Sequence, residues 1–153
     1  MKIFTLVLVT RNSEILLGLK KRGLGEGKWN GFGGKVEFGE TVIRAAMREL
    51  CEESGIVADE CNLLQRGIIT MDFANGEDSF EIHVFLCTNY KGEITETEEM
   101  KPQWFDIHHI PYDLMWSEAR LWYPVFLSGH PFEASFSYDI QGHIINHAII
   151  QLP

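Results

Sequence analysis

Apolar and polar residues alternate in several segments of the chain. This spacing predicts strands, because successive side chains of a strand face opposite sides of a sheet. Ser79–Cys87 shows it most clearly, with apolar residues at 80, 82, 84 and 86. β-Branched and aromatic residues favour further strands at Ile3–Thr10, Glu14–Lys20, Gly67–Phe73 and Gln103–Ile107. The residues NGED at 75–78 suit a hairpin turn, and segment 132–150 is predicted as a hairpin that turns near residues 141–142.

A helix is predicted from Thr41 to about Ser54. Thr41 can accept a backbone hydrogen bond as the N-cap, and Gly55 stands where a left-handed C-terminal cap is expected. Three apolar residues share one face of this helix, which we expect to enter the core: Ile43, Met47 and Leu50. The acidic residues of the helix fall on another face, directed away from the first.

The order of the elements indicates the fold class. A second, short helix is predicted at Glu118–Leu127, so strands outnumber helices, with one helix early and one late. This arrangement predicts an α+β fold with a mixed sheet. The 153 residues suffice for one domain with one sizeable core, and they contain no internal repeat or long linker. We therefore expect a single domain over residues 1–153.

The charge of the chain narrows the class of ligand. A net charge of -9 argues against binding to a nucleic acid polymer or an anionic membrane, because both need a basic surface. A small anionic ligand stays compatible if a metal ion neutralises it. Acidic residues concentrate at 37–60 and 93–99, and the basic run consists of Lys20, Lys21, Arg22, Lys28 and Lys35. A phosphate-bearing ligand would suit the border between these regions.

Cysteine and histidine patterns suggest no further site. Cys51, Cys61 and Cys87 are odd in number and form no CxxC pair, so neither a disulfide framework nor a zinc site is indicated. They are typical of reduced thiols in a cytoplasmic protein. The apolar opening IFTLVLV is too short to span a membrane, and the six histidines show no metal-binding spacing. We expect a monomer.

Five glutamates crowd into a short span that includes the first predicted helix: Glu37, Glu40, Glu49, Glu52 and Glu53. Like charges three or four residues apart on a helix repel by a few tenths of a kcal/mol per pair, and Arg48 is the nearby cation. The last three share one helix face, directly after a glycine-rich loop. A solvated acidic face is one interpretation. The other is a site that gathers Mg²⁺ or Mn²⁺ beside phosphate oxygens.

The spacing around this cluster resembles a known signature. Gly34, five residues, Glu40, seven residues and then the segment RELCEESGI at 48–56 match the signature box of the Nudix hydrolases, which cleave nucleoside diphosphates linked to another moiety. The resemblance implies an α/β/α sandwich with a mixed sheet, in which a loop-helix-loop site holds the cations. Such cations offset charge on phosphate oxygens and activate the attacking water.

The resemblance also implies roles for individual residues. Glu49, Glu52, Glu53 and the main-chain oxygen of Gly34 would hold the cations. Arg48 would orient a carboxylate by ion pairing, with Glu40 in support. The catalytic residues implied in this way are Arg48, Glu52, Glu53 and Glu99, the last of which would reach the metal cluster as a ligand or as the base for the attacking water.

Similarity continues outside the box. The segments GKWNGFGGKV, EIHVF, EEMKPQWF, IPYDLMW and LWYPVFL resemble the MutT-homologue type of Nudix hydrolase. Those enzymes hydrolyse oxidised purine nucleoside triphosphates, such as 8-oxo-dGTP and 2-oxo-dATP, to the monophosphate and pyrophosphate. The resemblance therefore implies a nucleoside triphosphate substrate, with Mg²⁺ as cofactor and Mn²⁺ as an alternative.

Base recognition can be considered from chemistry as well. Oxidation of guanine at C8 turns N7 into a donor, so a selective site needs an acceptor there. Asn30 offers both a donor and an acceptor, and Trp116 offers a stacking face. The same resemblance implies that the remaining substrate-binding residues are Thr5, Lys20, Phe32, Gly33, Gly34, Lys35, Met71, Phe73, Phe80 and Glu118.

Several residues depart from the pattern of that type. Two adjacent acids usually follow the tryptophan motif, but here Glu118 stands at the first position and Ala119 replaces the second. Leu24 and Met71 each replace an aromatic residue, which softens the rim of the pocket. We hypothesise that Glu118 substitutes as the reader of one purine edge while Asn30 reads the opposite edge.

Three other functions fit parts of the sequence. A Nudix hydrolase of unmodified nucleotides, methylated purines or capped RNA shares the box, although the net charge disfavours RNA. An isoprenoid diphosphate isomerase needs a catalytic cysteine, and Cys51 and Cys61 lie in or just after the helix. A non-catalytic ligand sensor typically loses box glutamates, and none is lost here.

Overall fold

The computed structural model describes all 153 residues. Its strands are β1 (Lys2–Arg11), β2 (Glu14–Lys20), β3 (Trp29–Asn30), β4 (Leu63–Phe73), β5 (Phe80–Cys87), β6 (Met100–Asp106), β7 (Phe132–Tyr138) and β8 (Ile144–Gln151). The helices are α1 (Val42–Ser54) and α2 (Ala119–Leu127), and single 3₁₀ turns occur at Glu60–Asn62 and Tyr112–Leu114. Neither helix is long and apolar enough to cross a membrane.

All eight strands belong to one mixed sheet. Its order is β3-β2-β1-β5-β4-β7-β8. β1 and β3 pair with one edge of β2, and β6 pairs with the opposite edge of β2. β1 runs parallel to β5, and β4 runs parallel to β7, whereas the remaining pairs are antiparallel. The predicted α+β class with a mixed sheet is confirmed.

The glycine-rich loop enters the sheet between β1 and β2. These two strands pair only near their shared turn, from Val9↔Leu16 to Arg11↔Glu14. Farther along, β3 pairs with β2, and Phe32 and Lys35 form single bridges to β1. Residues 29–36 therefore fill the space that opens between the two strands, and this segment positions the candidate site.

The two helices cover opposite faces of the sheet, as expected for an α/β/α sandwich. One buried cluster lies under α1 and includes Val7, Leu16 and Leu50. A larger cluster lies on the α2 face and includes Trp122 and Phe132. Burial of these side chains is the main stabilising contribution on both faces.

The face that α1 turns to the sheet differs from the predicted one. Leu50 is buried as expected, but the residues that lie deepest beside it are Ala45 and Ala46, because their small side chains let the helix approach the sheet. Ile43 and Met47 are half-buried and pack against the rim of the cluster. The expectation that all the acidic residues point away was wrong for Glu53, which is only 7% exposed.

The caps of α1 follow the sequence, whereas several strand ends do not. Thr41 accepts the backbone N–H of Arg44, and Gly55 adopts the left-handed conformation with φ 80°. β4 begins four residues before the predicted start and contains a bulge between Gln65 and Gly67, which interrupts the alternation there. β6 begins three residues early, at Met100. The two-residue β3 carries too short a pattern to predict.

Candidate active site

Two adjacent glycines allow α1 to lie close to the loop that enters the sheet. A Cβ on Gly33 would overlap the carbonyl group of Thr5. A Cβ on Gly34 would lie 2.5 Å from the carboxyl carbon of Glu49. The carbonyl oxygen of Gly34 accepts the backbone N–H of Thr5 at 2.9 Å and the hydroxyl of Thr5 at 3.5 Å.

Arg48 joins the acidic residues of the loop and the helix. Its guanidinium donates two hydrogen bonds of 2.8 Å to the carboxylate of Glu40, and it donates one of 2.9 Å to Glu49. Nη1 also lies 3.4 Å from Glu52, and Nη2 donates to the backbone oxygen of Lys35. These hydrogen bonds hold the pKa of Glu40 at about 2 and raise that of Arg48. One cation therefore offsets the repulsion that the sequence implied.

Glu53 takes a different position from its neighbours. Its Oε1 accepts the backbone N–H of Gly33 at 2.9 Å. Burial raises the pKa of Glu53 to about 7, and the charges of Glu49 and Glu99 add to the shift. Burial likewise raises the pKa of Glu49. Two carboxyl groups beside the loop are thus desolvated, which makes their charged forms unfavourable without a cation.

Glu99 lies beside the end of β2 and is held by two basic residues. Its carboxylate oxygens lie 3.2 Å from the ammonium of Lys20 and 3.1 Å from the guanidinium of Arg22. Its main-chain oxygen also accepts the backbone N–H of Lys21. Lys20, Lys21 and Arg22 therefore pair with acidic residues of the loop that contains Glu99, and the role of Glu99 toward a cation stays a prediction.

A small cavity opens on the α2 face of the sheet. Its lining residues come from β1, β3, β4, β5, the segment just before α2 and the first turns of α2: Leu6, Asn30, Ile69, Met71, Ile82, Trp116, Glu118, Ala119, Trp122 and Tyr123. Trp116 is 37% exposed, and the ammonium of Lys28 lies 5.3 Å from the centre of its ring. The predicted members Asn30, Met71, Trp116 and Glu118 meet here. The sequence did not reveal the others.

Asn30 has its side-chain oxygen fully engaged. Oδ1 accepts the backbone N–H of Gly31 at 2.9 Å and the hydroxyl of Tyr123 at 2.8 Å. The expectation that Asn30 offers both an acceptor and a donor is therefore wrong in this structure, because both lone pairs of the oxygen are used. The side-chain nitrogen is the group left for a ligand.

Glu118, the N-cap residue of α2, and Ala119, its first residue, face the cavity. Burial raises the pKa of Glu118, while the hydroxyl of Tyr138 and the charge of Lys28 act in the opposite direction. The Tyr138 hydroxyl also points at the sulfur of Met71, 3.8 Å away. Glu118 is thus the acidic side chain of the cavity wall, and the buried methyl group of Ala119 lies next to it.

The remaining predicted substrate residues occupy three places. Gly33, Gly34 and the backbone of Lys35 lie beside the carboxylates, with Thr5 buried behind them. Phe73 and Phe80 pack edge to face at 4.9 Å, outside the cavity lining. The side chain of Leu24 is 83% exposed.

The prediction that the ring of Phe32 forms a wall of the pocket was wrong. Phe32 is fully buried in the cluster under α1. It is bridged to Val7, and residues paired across neighbouring strands point to the same face, so the ring lies on the side of the sheet opposite the cavity.

Comparison with known proteins places this site in a family. The chain is 47% identical over 150 residues to the oxidized purine nucleoside triphosphate hydrolase of Danio rerio, with 97% of this chain and 94% of the relative covered. It is 40% identical over 148 residues to the protein of the same name from Mus musculus, with the same coverage. The solved structure of the MutT protein from Bacillus halodurans matches with a TM-score of 0.82 and 25% identity, over 97% of both chains.

The NUDIX domain family matches residues 2–126. The chain belongs to the Nudix family. Its Nudix box runs from Gly34 to Ile56, so the carboxylates joined by Arg48 are box residues. The same match makes the protein a Nudix hydrolase, and divalent-metal dependence is a property of this family.

The Nudix box residues fit a divalent cation in their chemistry. They supply hard carboxylate oxygens, and two of these groups are desolvated close to the loop that contains Gly34. No three acidic, histidine or cysteine side chains converge into a preformed cage. The reason lies in the contacts above, because Arg48 holds Glu49 and Glu52 while Glu53 bonds to the loop.

Proposed function

We propose that the protein hydrolyses oxidised purine nucleoside triphosphates, such as 8-oxo-dGTP and 2-oxo-dATP, to the monophosphate and pyrophosphate. One observation carries the proposal. A single short loop reaches from the cavity, at Asn30, to the box carboxylates, at Gly33 and Gly34. A ligand with a flat base and a polyphosphate tail would therefore contact both ends of this loop. The names of the two relatives described above support the same substrate class.

Mg²⁺ would be held by Glu49, Glu52, Glu53 and the carbonyl oxygen of Gly34. Glu99 is a further ligand in this proposal, and Mn²⁺ is the alternative ion. The ion would offset charge on the phosphate oxygens and make a water molecule more acidic. Arg48 orients Glu49 and Glu52 through its hydrogen bonds. Glu53, through a carboxylate oxygen that the ion does not occupy, would serve as the base that takes a proton from the attacking water.

The cavity supplies the contacts for the base. Trp116 offers a partly exposed ring on which a purine can stack, worth about 1 to 3 kcal/mol. An oxidised guanine carries a proton on N7 that needs an acceptor. Because the oxygen of Asn30 is engaged, the carboxyl group of Glu118 is the side-chain acceptor left in the cavity wall. We infer that Glu118 accepts the N7–H of the oxidised base and that Asn30 donates to an acceptor of the base.

A substrate panel tests the proposal. Purified protein is incubated with Mg²⁺ and 8-oxo-dGTP, 2-oxo-dATP, dGTP or dATP, and the released pyrophosphate and phosphate are measured separately. We expect pyrophosphate to be the product and both oxidised nucleotides to be preferred over their parents. A chelator control should abolish turnover. Release of phosphate alone, or equal turnover of oxidised and normal nucleotides, would contradict the proposal.

A second candidate shares the chemistry but has another base. Ala119 removes one of two acids from the usual pattern of this enzyme type, and Met71 replaces an aromatic in the cavity wall. Both changes relax recognition at the purine edge, which favours activity on unmodified or methylated purine triphosphates. Adding O6-methyl-dGTP to the panel separates this candidate from the first. An isomerase is disfavoured, because Cys51 and Cys61 are exposed and lie outside the cavity.

We further infer that the enzyme acts as a monomer in the cytoplasm. The carboxylates and the cavity are both built from one chain, so catalysis needs no second copy. The thiols of Cys51, Cys61 and Cys87 are free, which suits a reducing compartment. Light scattering during size exclusion, at a concentration at which the protein is active, should give a mass near 17.5 kDa.

A further inference from the structure

The hydrogen bonds of Asn30 determine which way its amide group points. The backbone N–H of Gly31 can only donate, so the Asn30 atom 2.9 Å away must be the oxygen. The hydroxyl of Tyr123 lies 2.8 Å from the same oxygen and therefore donates to it. The first bond joins neighbouring residues, whereas the second connects β3 to α2.

The Tyr123 hydroxyl donates its one proton to the side-chain oxygen of Asn30, and its own oxygen faces the backbone N–H of Gly31. The side chain of Tyr123 is fully buried, with the ring of Trp122 centred 4.4 Å away and that of Tyr112 at 6.2 Å. A hydroxyl has a single proton to donate, and leaving that proton without an acceptor in a buried position is unfavourable. The bond to Asn30 therefore holds both side chains in one arrangement.

The other end of the Asn30 amide is free. Its oxygen makes both side-chain hydrogen bonds, and the nitrogen has no acceptor within the protein. That nitrogen is not a buried, unsatisfied atom, and Asn30 lines the cavity beside Trp116 and Glu118. The amide thus presents two N–H donors to whatever occupies the cavity.

We propose that Tyr123 is a positioning residue for base recognition. It acts through Asn30, by holding the amide so that the nitrogen donates to an acceptor on the base, namely the oxygen at C6 of a 6-oxopurine. This assignment rests on the proposed function, since it takes a purine nucleotide as the ligand. Tyr123 itself needs no contact with the ligand.

A matched set of variants and substrates tests this role. Tyr123→Phe removes one oxygen and keeps the ring, and Tyr112→Phe makes the same change in a half-buried neighbour whose hydroxyl bonds to no side chain. Each is assayed with 8-oxo-dGTP and with the analogue that lacks the oxygen at C6. The ratio of kcat/KM between these two substrates is the readout, because a general loss of stability would lower both values together.

We expect Tyr123→Phe to lower that ratio about 3- to 10-fold, the usual range for one hydrogen bond. Tyr112→Phe should leave it unchanged. In an Asn30→Ala background, Tyr123→Phe should lower the ratio no further, because a positioning residue has no effect without the group that it positions. An unchanged ratio in Tyr123→Phe, or an equal loss in the Asn30→Ala background, would overturn the proposal.

A second measurement needs neither activity nor a folded variant. In ¹⁵N-labelled wild-type protein, the two amide protons of Asn30 should give one sharp pair of resonances, and the Tyr123 hydroxyl proton should show a through-space contact to Asn30. Averaged amide signals, or a hydroxyl in fast exchange with water, would overturn the proposal. If the wild type hydrolyses neither triphosphate, the proposed function fails, and this measurement still decides whether Tyr123 fixes the amide.

Discussion

The carboxylate site and the cavity are built in contrasting ways, although one loop connects them. The carboxylate site comes almost entirely from residues 33–53, and its polar groups are held by one cation, Arg48. The cavity takes single residues from many elements and is mostly apolar, with Asn30 and Glu118 as its polar side chains besides the Tyr123 hydroxyl. Under the proposed function, the groups for the reaction come from one local segment, whereas those for base recognition depend on how distant elements pack.

The largest effect expected from this contrast follows Glu53→Gln. Loss of the group that takes up a proton should lower kcat about 100- to 10,000-fold for every substrate. Binding of the nucleoside 8-oxo-deoxyguanosine, which has no phosphates, should match the wild type, because the cavity is untouched. Glu98→Gln, at an 88% exposed side chain, is the control. A loss of kcat that depends on the base would break the separation of the two regions.

The converse change is Trp116→Ala. It removes the stacking face, so kcat/KM for purine triphosphates should fall about 10- to 100-fold, mainly through KM. Trp116→Phe retains a smaller ring and should recover part of the loss. Steady-state kinetics with oxidised and with unmodified purine triphosphates are measured for both variants. A fall in kcat with KM unchanged would mean that Trp116 contributes to the reaction and not to base binding.

Removing Arg48 should separate stability from chemistry. Arg48→Ala leaves Glu40, Glu49 and Glu52 without their cation, and we expect a loss of about 2 kcal/mol in the free energy of unfolding of the metal-free protein. Thermal melts with and without Mg²⁺ check this. The metal should raise the Tm of the variant more than that of the wild type, because it replaces the missing positive charge. Arg44→Ala, an exposed residue of the same helix, is the control.

The smallest effect concerns the pH dependence of stability at Glu118. Burial raises its folded-state pKa above the usual 4.5, so the stability that it contributes is fully present below pH 4.5 and is lost as the pH rises through the folded value. Glu118→Gln does not ionise. The Tm of the variant relative to the wild type should therefore increase from pH 4.5 toward neutrality. A constant difference would show that Glu118 is solvated as in the unfolded chain.

The same contrast explains what the sequence could predict. The caps of α1 at Thr41 and Gly55 and the spacing of the box depend on residues close in the chain, so pattern alone locates them. The ring of Phe32 was misplaced because its direction depends on a bridge to β1, a contact between distant residues. Tyr123 carried no signal as a partner of Asn30, 93 positions away. Glu53 looked exposed because a helix pattern does not show that a loop will cover its last turn.

The insertion of residues 29–36 between β1 and β2 has a consequence for the size of the molecule that can be processed. Asn30 and Gly34 are four residues apart, and an extended chain of this length reaches at most about 14 Å. Both ends are bonded to neighbouring strands, so the loop cannot stretch. Under the proposed function, a nucleotide with fewer phosphates, or with a longer tether before the scissile bond, could not contact both ends of the loop at once. Adding a single residue here would therefore alter the permitted tail length before it altered either half of the recognition surface.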